Sequence, residues 1–145
     1  MSTYNFDGTY CHALDQKNRV FIPAEYRNKL DTEFVVCTPP GSSDCIIIYP
    51  TEEWDRYFEN LRNVCTGSDR ALAERLANST KRRVSADKQG RITLTPEHCR
   101  RAHLEKEAMI MGVGNRIEIW NPDIWNAIKT KCLEEPPEWM GRVEV

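Results

Sequence analysis

The feature of this sequence that most constrains its fold is an internal duplication. The segment 15–20, DQKNRV, aligns with the segment 87–92, DKQGRI. A second landmark agrees, because Trp54 aligns with Trp125 at almost the same displacement along the chain. A chain of 145 residues that repeats itself once at a nearly constant spacing is expected to form two similar small halves that share a core.

Each copy contains the same tight turn. It begins at an Asp and ends at an Arg four residues later, Asp15 and Arg19 in the first copy and Asp87 and Arg91 in the second. The fourth residue of the turn is Asn18 in one copy and Gly90 in the other, and these residue types best tolerate a positive φ. A short apolar run and then a proline follow, Pro23 in the first copy and Pro96 in the second, and each proline can open a short helix.

The remainder of each copy predicts two further strands and a longer helix. The apolar segments 34–36 and 108–110 are typical of buried strands, and 117–120 alternates as a half-exposed strand does. Thr51 and Asn121 precede acidic first turns, so both are predicted to cap the N-termini of the longer helices.

These elements predict an α+β protein made of two equivalent halves. The first half is expected in residues 5–60 and the second in 81–133. Residues 61–80 are expected to form a linker that contains an apolar-faced helix with Leu72 and Leu76, and residues 134–145 a flexible tail.

Composition indicates a globular protein of the cytoplasm. The hydrophobic share of 40% and the charged share of 29% are ordinary for such proteins. No apolar stretch reaches the roughly 20 residues of a membrane helix, and the N-terminus lacks the features of a signal peptide. Thiols are kept reduced in the cytoplasm, so the six cysteines are not expected to form a disulfide framework. They contain no C-x-x-C pair, so no structural zinc site is expected.

Catalysis is not expected from this sequence. No glycine-rich phosphate loop, metal-ligand cluster or serine elbow is present. Cys11 adjoins His12 and Cys99 adjoins His98, but neighbours on a strand point to opposite faces and rarely form a working pair. The sequence therefore predicts no enzyme, no cofactor and no small-molecule substrate.

The charge distribution favours one basic face in spite of a net charge of −2. Basic residues cluster in 17–29 and 81–101, whereas acidic residues gather in 52–59 and 134–144. A local basic surface of this kind is what a nucleic-acid partner requires.

The paired Asp-x-x-x-Arg turns, each followed by an apolar strand and a proline, resemble the MraZ family over nearly the whole chain. Supporting segments are 6–10 (FDGTY), 12–15 (HALD), Tyr49-Pro50 with Trp54, 87–91 (DKQGR), 104–107 (LEKE) and 112–120 (GVGNRIEIW). The chain departs from the family's pattern at Asn18, where Gly is frequent, at Thr95, where Pro is usual, and at Cys99, where Arg is expected.

The resemblance implies a double swapped-hairpin AbrB-like barrel with packed helices, in which each half donates a hairpin to the other and several chains close into a ring. It also implies a nucleoid-associated transcriptional regulator. Its partner would be double-stranded DNA, as direct repeats upstream of its own division and cell-wall gene cluster. The family's DNA-contact motif falls on residues 15–19 and 87–91.

The chemistry of the turn residues suits this role. The guanidinium groups of Arg19 and Arg91 could pair bidentately with guanine or with phosphate, and Asp15 and Asp87 would orient them. Further phosphate contacts are predicted for seven basic residues. They are Lys17, Lys81, Arg82, Arg83, Lys88, Arg100 and Arg101.

Other interpretations remain open on sequence grounds. Each Asp–Arg pair could be a surface ion pair that only pins a hairpin, and the 81–83 run could be a strand edge protected from aggregation. The chain could also be a structural or adaptor ring assembled through the helices of Trp54 and Trp125. A fourth interpretation is an antitoxin-like regulator of the same superfamily, although such proteins commonly carry a single half.

Overall fold

The computed structural model describes residues 2–39, 41 and 44–145, and both halves contain the predicted order of elements. In the first half these are β1 (Thr9–Ala13), β2 (Arg19–Phe21), α1 (Ala24–Arg27), β3 (Phe34–Cys37), β4 (Ile46–Pro50) and α2 (Thr51–Val64), and α3 (Gly67–Ser79) lies in the segment between the halves. In the second half they are β5 (Lys81–Val84), β6 (Arg91–Thr93), α4 (Pro96–Arg101), β7 (Glu107–Gly112), β8 (Ile117–Trp120) and α5 (Pro122–Glu134). A 3₁₀ helix, Glu138–Arg142, follows.

The strands form two antiparallel sheets that join the halves. The larger sheet has the order β1-β7-β8-β4-β3-β5, and β2 pairs with β6 in a separate two-stranded ladder. The first strand of each copy therefore pairs with the other half, β1 with β7 and β5 with β3. The predicted α+β class and the duplication are confirmed, while the barrel and the ring remain predictions.

Strand register relates the halves by a pseudo-twofold axis. Val20 lies opposite Ile92 in the ladder, and these residues are equivalent when the two turns are aligned. In the larger sheet Ile47 lies opposite Glu118, and these residues are equivalent when Trp54 is aligned with Trp125. The axis therefore passes through both sheets, and it places equivalent residues of the two turns on opposite sides of one centre.

Two apolar clusters hold the sheets in place. The first lies between the larger sheet and the ladder, and it includes Val20 and Ile92 at 0% and 2% exposure. The second lies under α2, where Trp54 packs with Tyr49 and Trp120. Both segments predicted as buried strands, 34–36 and 108–110, are buried as expected. The inward side chains of the ladder are part of this core, so packing against the larger sheet holds the ladder in place.

One of the two predicted helix caps is wrong. Asn121 caps α5, since its side-chain oxygen accepts from the N–H groups of Asp123 and Ile124 at 2.8 and 3.3 Å. Thr51, in contrast, is the first residue of α2 and its hydroxyl donates to the carbonyl of Glu33 at 3.1 Å. Pro50 occupies the cap position, and the Thr51 hydroxyl holds a tertiary contact instead of the helix end.

The predicted linker is helical, but its apolar face is not buried. Helix α3 packs beside α2, where Arg62 of α2 contacts Glu74 of α3 at 3.0 Å. Leu72 and Leu76 are 53% and 40% exposed, and Ala77 is the buried residue of this helix. No helix in the described ranges combines the length and apolar character needed to cross a bilayer.

Candidate nucleic-acid interface

The first turn is closed by the carboxylate of Asp15. One carboxylate oxygen accepts from the backbone N–H groups of Lys17 and Arg19 at 2.9 and 2.8 Å. The other accepts from Nε of Arg19 at 2.6 Å, and the Asn18 N–H donates to the Asp15 carbonyl. Asn18 has the positive φ, 58°, that the sequence predicts. The carboxylate thus fixes both the turn and the direction of the arginine.

The second turn repeats this geometry residue for residue. Asp87 accepts from the N–H groups of Gln89 and Arg91, both at 2.9 Å, and from Nε of Arg91 at 3.0 Å. Gly90 has the predicted positive φ, 82°. Because each carboxylate accepts from Nε, neither turn uses the terminal amino groups of its own arginine in these hydrogen bonds, and those groups are the donors that a base or phosphate would meet.

These contacts favour the ionised form of both carboxyl groups. The backbone N–H of Arg19 lowers the pKa of Asp15 below its ordinary value, and the Arg19 side chain adds to the effect. The backbone N–H of Arg91 lowers the pKa of Asp87 in the same way. Hydrogen bonds to an anion favour the charged form, so the Asp–Arg pairs persist throughout the neutral pH range.

The fold brings the two turns together. The N–H of Ile22 donates to the carbonyl of Gly90, and the N–H of Leu94 donates to the carbonyl of Asn18, both at 2.8 Å. Each turn is therefore bonded to the strand that leaves the other turn. The two turns therefore support each other. The stiffness that a ladder needs in order to enter a groove depends on both turns together.

The outward face of the ladder carries both arginines. Alternation places Arg19, Phe21, Arg91 and Thr93 on this face, with Arg91 opposite Phe21 and Arg19 opposite Thr93. The side chains of Arg19 and Arg91 are 31% and 29% exposed. A terminal nitrogen of Arg91 also lies 3.8 Å from Asp15, so the charges of both turns form one connected group.

Sequence reasoning missed Arg27, Phe21 and His12 as part of this surface. Nε of Arg27 donates to the carbonyl of Ile22 at 2.8 Å, and its guanidinium lies 5.4 Å from the centre of the Phe21 ring. The ring of His12 lies 5.4 Å from the same ring. A Cβ at Gly90 would stand 2.7 Å from the Arg27 guanidinium, which shows how closely Arg27 covers the second turn.

The remaining predicted phosphate contacts are distributed unevenly. Lys17 and Lys88 are exposed on the turns themselves. Lys81, at the far end of edge strand β5 from the turn, places its ammonium 5.8 Å from the Trp54 ring on the side of α2. Arg82 and Arg83 are exposed on the same strand, and alternation sends them to opposite faces.

Arg100 and Arg101 are exposed at the end of α4. Neither has an ion-pair partner among the salt bridges in the described part of the chain, so both charges remain available to solvent or to a polyanion.

The histidine and cysteine of α4 are buried. Nε2 of His98 lies 2.9 Å from the carbonyl of Thr80, and burial lowers the pKa of His98. Burial raises the pKa of the Cys99 thiol, which disfavours the thiolate needed of a nucleophile. Within the described ranges no three His, Cys, Asp or Glu side chains are grouped as a metal ion would need.

Comparison with known proteins identifies the family. A family model described as "MraZ protein, putative antitoxin-like" matches residues 5–75 and 79–138. Three relatives are each named "Transcriptional regulator MraZ". The relative from Carboxydothermus hydrogenoformans is 40% identical over 123 residues, which cover 83% of this chain and 84% of the relative. The relative from Heliobacterium modesticaldum is 41% identical over 129 residues, or 88% of each chain.

The relative from Lachnoclostridium phytofermentans is 31% identical over 136 residues, which cover 94% of this chain and 95% of the relative. The family model runs through both copies of the Asp-x-x-x-Arg turn, and the relatives leave little of either chain outside the aligned length. The chain belongs to the MraZ family.

Proposed function

We propose that this protein is a sequence-specific DNA-binding transcriptional regulator that uses the paired turns as its contact surface. The observation that carries the proposal is the arrangement of Arg19 and Arg91. Two equivalent guanidinium groups are oriented by carboxylates at the adjoining tips of one rigid ladder. The printed names of the relatives, each a transcriptional regulator, support the same role.

The ladder has the shape that groove recognition requires. A two-stranded antiparallel ribbon fits the major groove of B-DNA, and its outward side chains then face the base edges. Arg19 and Arg91 would donate their terminal amino groups to guanine or phosphate. Asp15 and Asp87 would position the arginines, because a carboxylate facing a phosphate would repel it. Lys17 would bind the phosphates beside the ladder.

Exposed apolar residues support assembly of several copies. Helices α2 and α3 carry the exposed side chains of Val64 (82%), Leu72 (53%) and Leu76 (40%). Helix α5 carries those of Ile128 (40%) and Leu133 (70%). In the described residues a 3₁₀ helix follows α5, where the α-helix α3 follows α2, so the surface of α2 and α3 differs from that of α5. Contact between unlike surfaces is head-to-tail, and it closes into a ring when the rotation permits.

A ring would present the paired turns repeatedly around its circumference. Several contacts of modest strength would then act together, so avidity would supply affinity in spite of the net charge of −2. Direct repeats in the DNA upstream of the protein's own division and cell-wall gene cluster fit this arrangement. Such a protein would act in the cytoplasm, on the nucleoid.

The test measures DNA binding by fluorescence anisotropy. The probe is a labelled duplex from the region directly upstream of the gene, and a scrambled duplex of equal composition is the competitor. Arg19→Ala and Arg91→Ala should each weaken binding by about 5- to 150-fold, the equivalent of about 1 to 3 kcal/mol. Arg116→Ala is the matched control, because Arg116 is also an ion-paired arginine, with a side chain 32% exposed, but lies beside β8 and outside the ladder.

Circular dichroism should show that both variants remain folded, since exposed ion pairs contribute little to the free energy of unfolding. The proposal is refuted if the wild-type protein binds both duplexes equally, or if the two turn variants bind as Arg116→Ala does. Unchanged binding by the turn variants would mean that the Asp–Arg pairs only stabilise the hairpins. Absence of wild-type binding to either duplex would favour the structural or adaptor ring without DNA binding.

A further inference from the structure

The two halves of the ladder's outward face are not equivalent. The pseudo-twofold axis relates Phe21 to Thr93, because Val20 and Ile92 at its centre are equivalents. The same alignment of the two copies relates His12 to Val84 and Arg27 to Cys99. The arginines of the turns are thus duplicated, whereas an aromatic ring, an imidazole and a third guanidinium occur on one side of the axis alone.

Two of these unmatched residues, His12 and Arg27, lie against the ring of the third, Phe21. The Phe21 ring is 36% exposed, with the His12 ring at 5.4 Å and an interplanar angle of 60°. The Arg27 guanidinium covers the ring from 5.4 Å. We call His12, Phe21 and Arg27 the aromatic cluster. Since Val20 and Ile92 already fill the inward side of the ladder, the ring of Phe21 is not needed to complete the core.

The aromatic cluster lies directly beside one of the two proposed base-reading arginines. Phe21 is the cross-strand partner of Arg91, and side chains in that relation stand about 5 Å apart at Cβ. A base pair contacted by Arg91 would therefore have the Phe21 ring next to it. The equivalent neighbour of Arg19 is Thr93, which is smaller and polar.

We infer that Phe21 is a specificity-determining residue that contacts the methyl group of a thymine beside the base read by Arg91. This inference rests on the proposed function. Phenylalanine is among the side chains that recognise the thymine methyl in the major groove, which is the apolar feature exposed there. His12 and Arg27 hold the ring in place, and Arg27 also adds positive charge where the phosphates approach.

A directional DNA site follows from the asymmetry. A protein surface with true twofold symmetry reads a palindrome, because both halves make the same contacts. Here one half offers Phe21 and the other Thr93, so the two orientations of a duplex differ in free energy. The preferred site therefore has a thymine on one side of its centre without a matching thymine on the other.

The experiment begins with selection of binding sites from duplexes with a randomised core, using the full-length wild-type protein. Each thymine of the selected site is then replaced singly by deoxyuridine, which removes the methyl group. One replacement should weaken wild-type binding about three- to fivefold, as expected for a single methyl group withdrawn from an apolar contact. Phe21→Ser, which leaves no apolar group at this position, should be insensitive to that replacement and respond normally to the others.

Thr93→Ser is the matched control, because it alters the equivalent position and should leave the deoxyuridine profile unchanged. The inference is overturned by a palindromic site, by a site without the one-sided thymine, or by equal profiles for wild type and Phe21→Ser. It is also overturned if Phe21→Ser changes the mass of the assembly, since the ring of Phe21 would then serve self-contact. If Arg19→Ala and Arg91→Ala still weaken binding in these cases, the proposed function survives and this inference alone fails.

Discussion

The contact between Gly90 and Arg27 makes the second turn sensitive to a single methyl group. In Gly90→Ala the new Cβ would lie 2.7 Å from Cζ and from Nε of Arg27, and the residue would have to keep its φ of +82°. The backbone conformation costs an alanine about 1 to 2 kcal/mol. The guanidinium must move away, which breaks its hydrogen bond to the carbonyl of Ile22. This loss adds about 1 kcal/mol, since the bond is only partly shielded from solvent.

Gly114 separates these two contributions. It also has a positive φ, +70°, but a Cβ there would have no other heavy atom within 4 Å. Gly114→Ala should therefore show the conformational cost alone. We expect Gly90→Ala to lower the free energy of unfolding by about 1 kcal/mol more than Gly114→Ala does. In an Arg27→Ala background that excess should disappear, because the displaced group is already absent.

Urea unfolding followed by the fluorescence of the four tryptophans measures these differences. All variants must be compared at one protein concentration, because assembly adds to the apparent stability. Equal costs for the two glycine substitutions would refute the role of Arg27 as the support of the second turn. An excess that persists in the Arg27→Ala background would refute it as well.

Three further results are expected. Folding lowers the pKa of Asp15 and Asp87 below the ordinary value of 3.8 and that of His98 below 6.5, so the unfolded chain takes up protons more readily than the folded one as the pH falls. A pH series of urea unfolding should therefore show the free energy of unfolding decreasing first below about pH 6.5 and again below about pH 3.8. A constant free energy of unfolding would contradict this. Ile110→Ala, at a position with 0% exposure in β7, should lower the free energy of unfolding by about 2 to 5 kcal/mol, and a loss under about 1 kcal/mol in urea unfolding would be inconsistent with the packing described. Leu72→Glu should reduce the mass of the assembly in light scattering without unfolding the chain, whereas an unchanged mass would exclude α3 from the contact between copies.

The sequence determined the local structure because its signals are short-range. The spacing of Asp15 and Arg19, with Asn18 before the arginine, was sufficient to predict the turn and its positive φ. Continuous apolar runs predicted the buried strands, and the repetition of the whole order of elements predicted two halves. The cap at Thr51 was wrong because a hydroxyl can serve a distant carbonyl, here that of Glu33, and spacing along the chain carries no information about such a partner.

Only the tertiary structure decided which strands meet. Periodicity shows which face of a strand is apolar, but β1 and β7 are paired by contacts between residues far apart in the chain, such as Thr9 and Met111. The same packing sets Phe21 against Arg91 and lays Arg27 over Gly90. The duplication could have revealed the unmatched positions, yet the surface they form depends on long-range packing. The local sequence determines the chemistry of each side chain and the turn or strand in which it lies. The contacts between distant side chains are determined by burial of the core that both halves share.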